Sequence, residues 1–132
     1  MNRVVFLLVC IPSVLLSQTN FEKGVQLMDS GKMDQARVVF ENVLKEYPSN
    51  SKALEFLGDI AGQNKNWDKA ILYYKKIKQL QPNNAEYHYK YGGALGMKAK
   101  TVNKFKALGM IDEIKASFEK AVILDPKHKE SR

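Results

Sequence analysis

The 132-residue sequence predicts an all-α fold, a solenoid of antiparallel helix pairs stacked on one another. Residues of the same kind recur 34 positions apart, and within each 34-residue unit the apolar residues follow the helical period. A unit of this length accommodates two antiparallel helices and their turns. The recurring residues are small, turn-forming or large and apolar: Gly24, Gly58 and Gly92; Pro48 and Pro82; Ala36 and Ala70; Phe40 and Tyr74; Val43 and Ile77.

Residues 1–17 have a different composition from the units that follow. Arg3 precedes an apolar run that ends at Leu16, and the next charged residue is Glu22. A run of about a dozen apolar residues is too short to span a bilayer comfortably but has the length of the apolar region of a signal peptide. We expect residues 1–17 to be a signal peptide cleaved after Ser17, which makes the protein exported, periplasmic or secreted.

Three other interpretations of this segment stay open. It could remain uncleaved as an N-terminal anchor, or form a buried helix, although Pro12 disfavours a helix through the run. Acylation of Cys10 would make the protein a lipoprotein. Sites of that kind, as the resemblance to known lipoproteins implies, have Gly, Ala or Ser immediately before the cysteine, and Val9 stands there instead. Cys10 is the only cysteine, so cleavage after Ser17 would leave no thiol for a disulfide, a metal site or a nucleophile.

The first unit, residues 18–50, is predicted to form two helices. Apolar residues recur at helical spacing from Phe21 to Met28, and residues 30–32 interrupt the pattern. The pattern resumes at Ala36 and continues to Pro48, which ends the second helix.

The second unit, residues 51–84, repeats this arrangement with a turn at 63–66 and a stop at Pro82. Pro-Ser-Asn follows the second helix of the first unit, and Pro-Asn-Asn follows that of the second unit. In both places proline ends one helix, and the polar residues after it supply side-chain oxygens that cap the next helix.

The third unit, residues 85–128, is longer. Gly92 and Pro126 are 34 residues apart, whereas the corresponding glycine and proline of the first two units are 24 apart, so ten residues have been inserted. Alignment of residues 109–112 with the first-unit turn at 31–34 places the insertion at residues 99–108. The insertion predicts either longer helices or a short separate helix. One apolar side of it would carry Val102, Phe105 and Leu108.

The C-terminal end of the stack is predicted to be open. Residues 129–132 would be the start of a truncated next helix. The second helix of the third unit presents an apolar stripe: Ile111, Ile114, Phe118, Ala121 and Val122. With a neighbour on one side only, this stripe favours self-association, unless Val102, Phe105 and Leu108 fold back over it.

Together these residues resemble the tetratricopeptide-repeat (TPR) family, whose 34-residue pattern has Trp, Leu-Gly, Tyr, Ala, Phe, Ala and Pro at fixed places. The matching residues are Gly24, Ala36, Phe40 and Pro48; Leu57, Gly58, Ala70 and Pro82; Gly92, Phe118, Ala121 and Pro126. The Trp slot holds Asn20, Leu54 and His88, and the Tyr slot holds Leu27, Ala61 and Leu95. The resemblance covers residues 17–128 and implies a right-handed superhelical solenoid of three repeats, similar to exported bacterial proteins with a lengthened third pair before Ile114.

The resemblance also implies a binding surface, because the first helices of the pairs line a concave groove in that family. Carried over by position, the groove residues are Phe21, Val25 and Met28; Lys52, Glu55, Asp59 and Gly62; Glu86, Tyr89, Gly93, Gly96 and Met97. Aromatic and methionine side chains would be costly on a purely solvated face, which favours a protein or peptide partner over the alternative of a solvated helix face.

One mode of binding known in the family is not expected. Repeats that clamp the C-terminal carboxylate of chaperones use groove lysine, asparagine and arginine. The corresponding positions here are Phe21, Val25, Phe56, Glu86 and Lys90. They carry too little positive charge, and Glu86 would repel a carboxylate.

The sequence predicts no catalytic, cofactor or metal site. His88 and His128 are far apart, with no ligand cluster at metal-binding spacing. The glycines of residues 92–96 lack the Gly-Lys-Ser/Thr that completes a phosphate loop. The net charge of +7 is spread along the chain, so nucleic-acid binding by the lysines of residues 98–106 is not expected.

The predicted function is therefore a non-catalytic scaffold in the bacterial cell envelope, which binds a peptide or protein segment in the groove. No membrane span is expected after signal removal. The alternative is a structural element, either the N-terminal part of a longer solenoid or a chain that self-associates through its open C-terminal end.

Overall fold

The computed structural model describes residues 13–129, and the side chains of residues 18–127. Every regular element in this range is helical, so the predicted all-α class is confirmed. Six α-helices precede a short 3₁₀ turn at Pro126–Lys129. The helices are α1 (Ser13–Asp29), α2 (Met33–Glu46), α3 (Ser51–Gln63), α4 (Trp67–Leu80), α5 (Ala85–Ala99) and α6 (Lys104–Leu124).

Several sequence predictions concern residues outside this range. Cys10 and most of the proposed signal peptide precede Ser13, and three of the four residues predicted to start a next helix follow Lys129. The side chain of His128 is also outside the described part. Within residues 13–129, no helix combines the length and the apolar character needed to cross a bilayer.

The helices form three antiparallel pairs that stack in chain order. α1 packs on α2, α3 on α4 and α5 on α6, and successive pairs meet where α2 contacts α3 and α4 contacts α5. One apolar cluster, which includes Phe40 and Leu57, joins the first pair to α3. A second cluster, which includes Ile77 and Tyr91, joins the second pair to α5. Each cluster is shared between neighbouring pairs, so no pair buries its apolar residues alone.

Asparagine side chains cap the start of four helices, where backbone N–H groups lack partners within the helix. Asn50 accepts from the N–H of Ala53 at 3.0 Å, and Asn84 accepts from the N–H of Glu86 at 3.1 Å. These two bonds confirm the caps predicted after Pro48 and Pro82. The other two capping bonds join Asn66 to Lys69 and Asn103 to Lys106.

Each pair is held closely together by an aromatic ring that lies against a glycine. The ring of Phe40 lies over Gly24 and the ring of Tyr74 lies over Gly58, so that a methyl group at either glycine would come within 3.0 Å of ring atoms. A methyl group at Gly92 would lie 3.0 Å from the Cβ of Ser117 and 3.4 Å from the ring of Phe118. The 34-residue recurrence of glycine therefore has a packing cause.

The connection in the third pair differs from the prediction. Residues 109–112 do not form a turn, because α6 continues through them from Lys104 to Leu124. The connection is at residues 100–103, and Asn103 caps α6 there. Gly31 turns with a φ of 74°, but Gly109 has no positive φ and takes part in the helix. Alignment of the two glycines as turn residues was therefore wrong.

The additional residues of the third pair go mainly into helix. Compared with the second pair, α5 is two residues longer, the connection one residue longer and α6 seven residues longer. No separate helix forms at residues 99–108.

The apolar stripe at the C-terminal end is partly covered. Ala121 is buried, Ile114 packs against the second cluster and the ring of Phe118 contacts Tyr89. Ile111 is 49% exposed. The suggestion that Val102, Phe105 and Leu108 fold back over this end is wrong, because Val102 lies in the connection while Phe105 is 88% and Leu108 is 60% exposed.

Replacing Gly58 with alanine should lower the free energy of unfolding by about 1–2 kcal/mol, even though alanine ordinarily favours a helix over glycine. The added methyl would collide with the ring of Tyr74. The ring cannot turn aside, because it is buried and its hydroxyl donates to Asp59 at 2.5 Å. Urea unfolding at equilibrium measures the change.

Gly93→Ala is the matched control. A methyl at Gly93 meets no atom within 4 Å, so this change should raise the free energy of unfolding by up to about 1 kcal/mol. Equal stabilisation by both substitutions would contradict the proposed role of the glycine–aromatic contact.

Candidate functional site

The residues predicted to line the groove lie on the first helix of each pair, α1, α3 and α5. We call the surface that these residues form the groove face. Three parts of it differ in chemistry along the stack: an apolar part on α1, a charged part between α3 and α5, and an open part on the second half of α5.

The apolar part is tied into the core. Phe21, Val25 and Met28 are half-buried and pack against the first cluster. The ring centroid of Phe21 is 5.6 Å from the centroids of Phe40 and Phe56, and Phe40 and Phe56 are stacked at 5.2 Å. Core packing therefore accounts for these three predicted groove residues without a ligand.

The charged part is a network that bridges α3 and α5. The ammonium of Lys90 on α5 donates to Glu55 at 3.0 Å and to both oxygens of Asp59 at 2.8 and 2.9 Å. Lys52 also donates to Glu55, at 3.1 Å. We call these four residues, with the hydroxyls of Tyr74 and Tyr87, the groove network.

Two tyrosine hydroxyls also donate hydrogen bonds to the carboxylates of the groove network. Tyr74 of α4 donates to Asp59 at 2.5 Å, and Tyr87 of α5 donates to Glu55 at 3.2 Å. Glu55 thus accepts from three side chains and Asp59 from two. These bonds connect α3, α4 and α5, so the network also fixes the second pair against the third.

The electrostatics of the network favour the charged forms of its ions. Burial alone would raise the pKa of Glu55, but the hydrogen bonds from Lys90 and Lys52 outweigh it, and the pKa lies below its ordinary value. Burial would lower the pKa of Lys90, but the hydrogen bonds to Asp59 and Glu55 raise it. Burial and the bond to Asp59 raise the pKa of Tyr74 strongly, which keeps its hydroxyl a donor.

The open part of the groove face carries little side-chain bulk. Methyl groups at Gly93 and Gly96 would meet no atom within 4 Å. Met97 is 39% exposed, and Tyr89 is half-buried with its ring edge against Phe118 at 5.5 Å. Glu86 and Gly62 are half-buried at the first turn of α5 and the last turn of α3.

Sequence reasoning missed the network as a unit. It named Glu55 and Asp59 as groove positions and considered Lys90 only for a carboxylate clamp. Tyr74 was named only as a recurring packing residue, and Tyr87 was not named. The signal was present: Lys90 follows Glu55 by 35 residues and Asp59 by 31. A repeat of 34 residues places such positions side by side on neighbouring first helices.

The surroundings of His88 are those of a core residue. His88 is buried, and its Nε2 lies 2.7 Å from the carbonyl oxygen of Pro82, so its contacts are those of a packed side chain. Across the described part of the chain, no group of three His, Cys, Asp or Glu residues is arranged to hold a metal ion.

Comparison with protein families matches residues 21–95 to the tetratricopeptide repeat. A PEX5-related protein of Rattus norvegicus is 31% identical over 64 residues, which are 48% of this chain and 11% of the rat protein. The chain therefore spans only a small part of the length of this relative.

Solved structures share the fold. A thermophilic TPR protein of Thermus thermophilus gives a TM-score of 0.72 at 22% identity, covering 83% of this chain and 57% of that one. The first TPR of Spaghetti (RPAP3), bound to the HSP90 peptide SRMEEVD, gives 0.68 at 19% identity, covering 83% and 79%. At these identities the likeness shows the fold alone.

The Glu55→Gln substitution should lower the free energy of unfolding by about 1–2 kcal/mol at neutral pH, because Lys90 and Lys52 lose a charged acceptor. The folded-state pKa of Glu55 is lowered, so its contribution is present above the unfolded pKa and is lost as the pH falls through the folded pKa. The difference between the two proteins should therefore shrink below about pH 4. Urea midpoints measured across this range test it.

Glu119→Gln is the control, because Glu119 pairs with Lys115 only at 3.8 Å and both side chains are largely exposed. Its effect should stay within about 0.5 kcal/mol at every pH. A Glu55→Gln effect as small as that of the control would contradict the stabilising role of the network.

Proposed function

The chain belongs to the tetratricopeptide-repeat family, whose fold is that of a protein–protein interaction scaffold, and from this premise we propose that it binds a segment of a partner protein along the groove face. Proteins of this family are generally non-catalytic scaffolds, and we propose the same for this chain. The partner segment would lie across α1, α3 and α5, because the predicted groove residues are on these helices.

The observation that best supports a ligand is the open part of α5. Gly93 and Gly96 lie inside a helix, where each glycine costs about 1 kcal/mol relative to alanine, and neither has a neighbour that a methyl would meet. Gly92, between the helices of its pair, has such a neighbour. Close approach of a partner's backbone to α5 would account for the two glycines that internal packing does not explain.

The groove network determines which partner chemistry we propose. The ammonium of Lys90 already contacts two carboxylates, so it offers an incoming carboxylate little attraction. Glu55, Asp59 and Glu86 would repel an acidic segment. We therefore propose a partner segment that is apolar or basic, in contrast to the acidic HSP90 peptide SRMEEVD to which the RPAP3 repeat is bound.

Self-association through the C-terminal end is the second proposal, and it is the weaker one. Ile111 is exposed and supports it, but Ala121 is buried and Ile114 and Phe118 pack on their own pair. Because these three residues are covered within the chain, the stripe offers a second copy less apolar area than its sequence suggests.

We further propose that the scaffold works in the bacterial cell envelope after export. The proposal rests on residues 1–17, in which a single basic residue precedes an apolar run of signal-peptide length. It is independent of the groove, since none of the groove residues lies in this segment.

The groove proposal predicts that a side chain at Gly93 blocks binding. Peptides selected from a random display library against the full chain should bind Gly93→Gln about tenfold more weakly or worse, because the new side chain occupies the space the peptide needs. Fluorescence polarisation of the labelled peptides measures the affinity. The peptide SRMEEVD should bind the native chain about tenfold more weakly than the selected peptides.

Gly109→Gln is the matched control, since Gly109 also has open space beyond its Cα but lies on α6. It should leave the peptide affinity unchanged. Selected peptides that tolerate Gly93→Gln, or that lose affinity equally with Gly109→Gln, would show that the ligand binds elsewhere.

The export proposal predicts a mature chain about 2 kDa lighter than the translated one, at about 110 Da per residue removed, with Gln18 at its N-terminus. Mass spectrometry of the protein from fractionated bacterial cells measures this. Intact residues 1–17 on a protein recovered with the cytoplasmic fraction would contradict the proposal, and lipid mass on Cys10 would replace it with the lipoprotein alternative.

A further inference from the structure

The corner where α5 passes into α6 exposes bulky apolar side chains. Phe105 is the most exposed large apolar residue in the described range, at 88%. Leu108, about one helical turn further along the chain, is 60% exposed. Close to them in sequence are Lys100, Lys104 and Lys106, all exposed. We call these five residues the corner surface.

The fold itself does not account for the apolar members of the corner surface. The first residue of α6 that packs against the second cluster is Met110, followed by Ile114 and then the buried Ser117 and Ala121. Phe105 and Leu108 precede this packed stretch. In a single chain most of their apolar area is left in water.

The charge of the corner surface is one-sided. Residues 98–111 contain four lysines and no acidic residue, and the next acidic residue is the exposed Asp112, one helical turn after Leu108. Lys98 is bound to Asp68 at 2.9 Å. In the described part of the chain, Lys100, Lys104 and Lys106 form no ion pair with a carboxylate. Three exposed ammonium groups therefore lie within a few residues of the exposed ring and leucine, and none of the three is paired with a carboxylate in the described part of the chain.

We propose that the corner surface docks on a bilayer that contains anionic lipids. Phe105 and Leu108 enter the boundary between headgroups and acyl chains, while the three lysines contact lipid phosphates. This pairing of inserted apolar side chains with flanking lysines is the chemistry by which surface helices bind anionic membranes. The corner surface shares no residue with the groove face, so the proposal stands apart from the proposed function.

Charge distinguishes this occupant from the two main alternatives. A symmetric contact between two copies would place lysines of one corner surface against those of the other, which is unfavourable. A nucleic acid would satisfy the lysines, and an unpaired base would stack on Phe105, but nothing in it would cover Leu108. An anionic bilayer satisfies both the lysines and the apolar side chains.

The test is binding of the full chain to sedimented vesicles, either of phosphatidylcholine alone or with about 30 mol% phosphatidylglycerol. The native chain should prefer the anionic vesicles. Phe105→Gln combined with Leu108→Gln should weaken this binding about tenfold or more, and Lys104→Glu combined with Lys106→Glu should do the same. Leu72→Gln and Lys75→Glu with Lys76→Glu, exposed positions on α4, are matched controls that should bind as the native chain does.

Because residues 1–17 are themselves apolar, a second measurement locates the contact. The indole introduced by Phe105→Trp should be quenched by brominated phospholipid in anionic vesicles, while the native Trp67 should not be. Equal vesicle binding by the native chain and the corner variants would overturn the proposal. Two other results, each without vesicle binding, would also overturn it. One is a dimer that forms without lipid and dissociates in the Phe105→Gln, Leu108→Gln variant. The other is binding to duplex DNA that is lost in the Lys104→Glu, Lys106→Glu variant.

Discussion

The close contact between a glycine on the first helix and an aromatic ring on the second is the constraint on which the rest of the structure depends. In the second pair, Gly58 lets the ring of Tyr74 lie against α3, and in this position its hydroxyl donates to Asp59. Asp59 in turn holds Lys90 of the next pair. A missing side chain in one helix thus determines a bond between two repeats.

The same position changes the character of the groove from one repeat to the next. In the first pair the ring over the glycine is Phe40, which has no hydroxyl and stacks with Phe56 instead. An apolar surface results on α1, whereas Tyr74 supports a charged surface between α3 and α5. The repeat architecture therefore keeps its packing while the aromatic residue at one slot alters the chemistry presented to a partner.

The sequence could predict the pairing and the caps because glycine, proline and asparagine act locally, through sterics and through hydrogen bonds to nearby backbone. It could not place the third connection, because a glycine such as Gly109 suits a turn or a helix interior and its φ is decided by tertiary packing. It did not assemble Glu55, Asp59 and Lys90, because the groove positions were carried over one at a time, although the 34-residue spacing already places Lys90 beside both carboxylates on the neighbouring first helix.

The extra length of the third pair shows which part of a repeat is free to change. The contact of Gly92 with Ser117 and Phe118 is kept, and the core-packed stretch of α6 begins only at Met110. Most of the added residues therefore lie at the turn end of the pair, away from the Gly92 contact and from the core-packed stretch of α6. A surface that arises there can acquire exposed apolar and basic residues without disturbing either the stack or the groove, and for this reason the two proposed binding surfaces, which differ in chemistry, are compatible in one small solenoid.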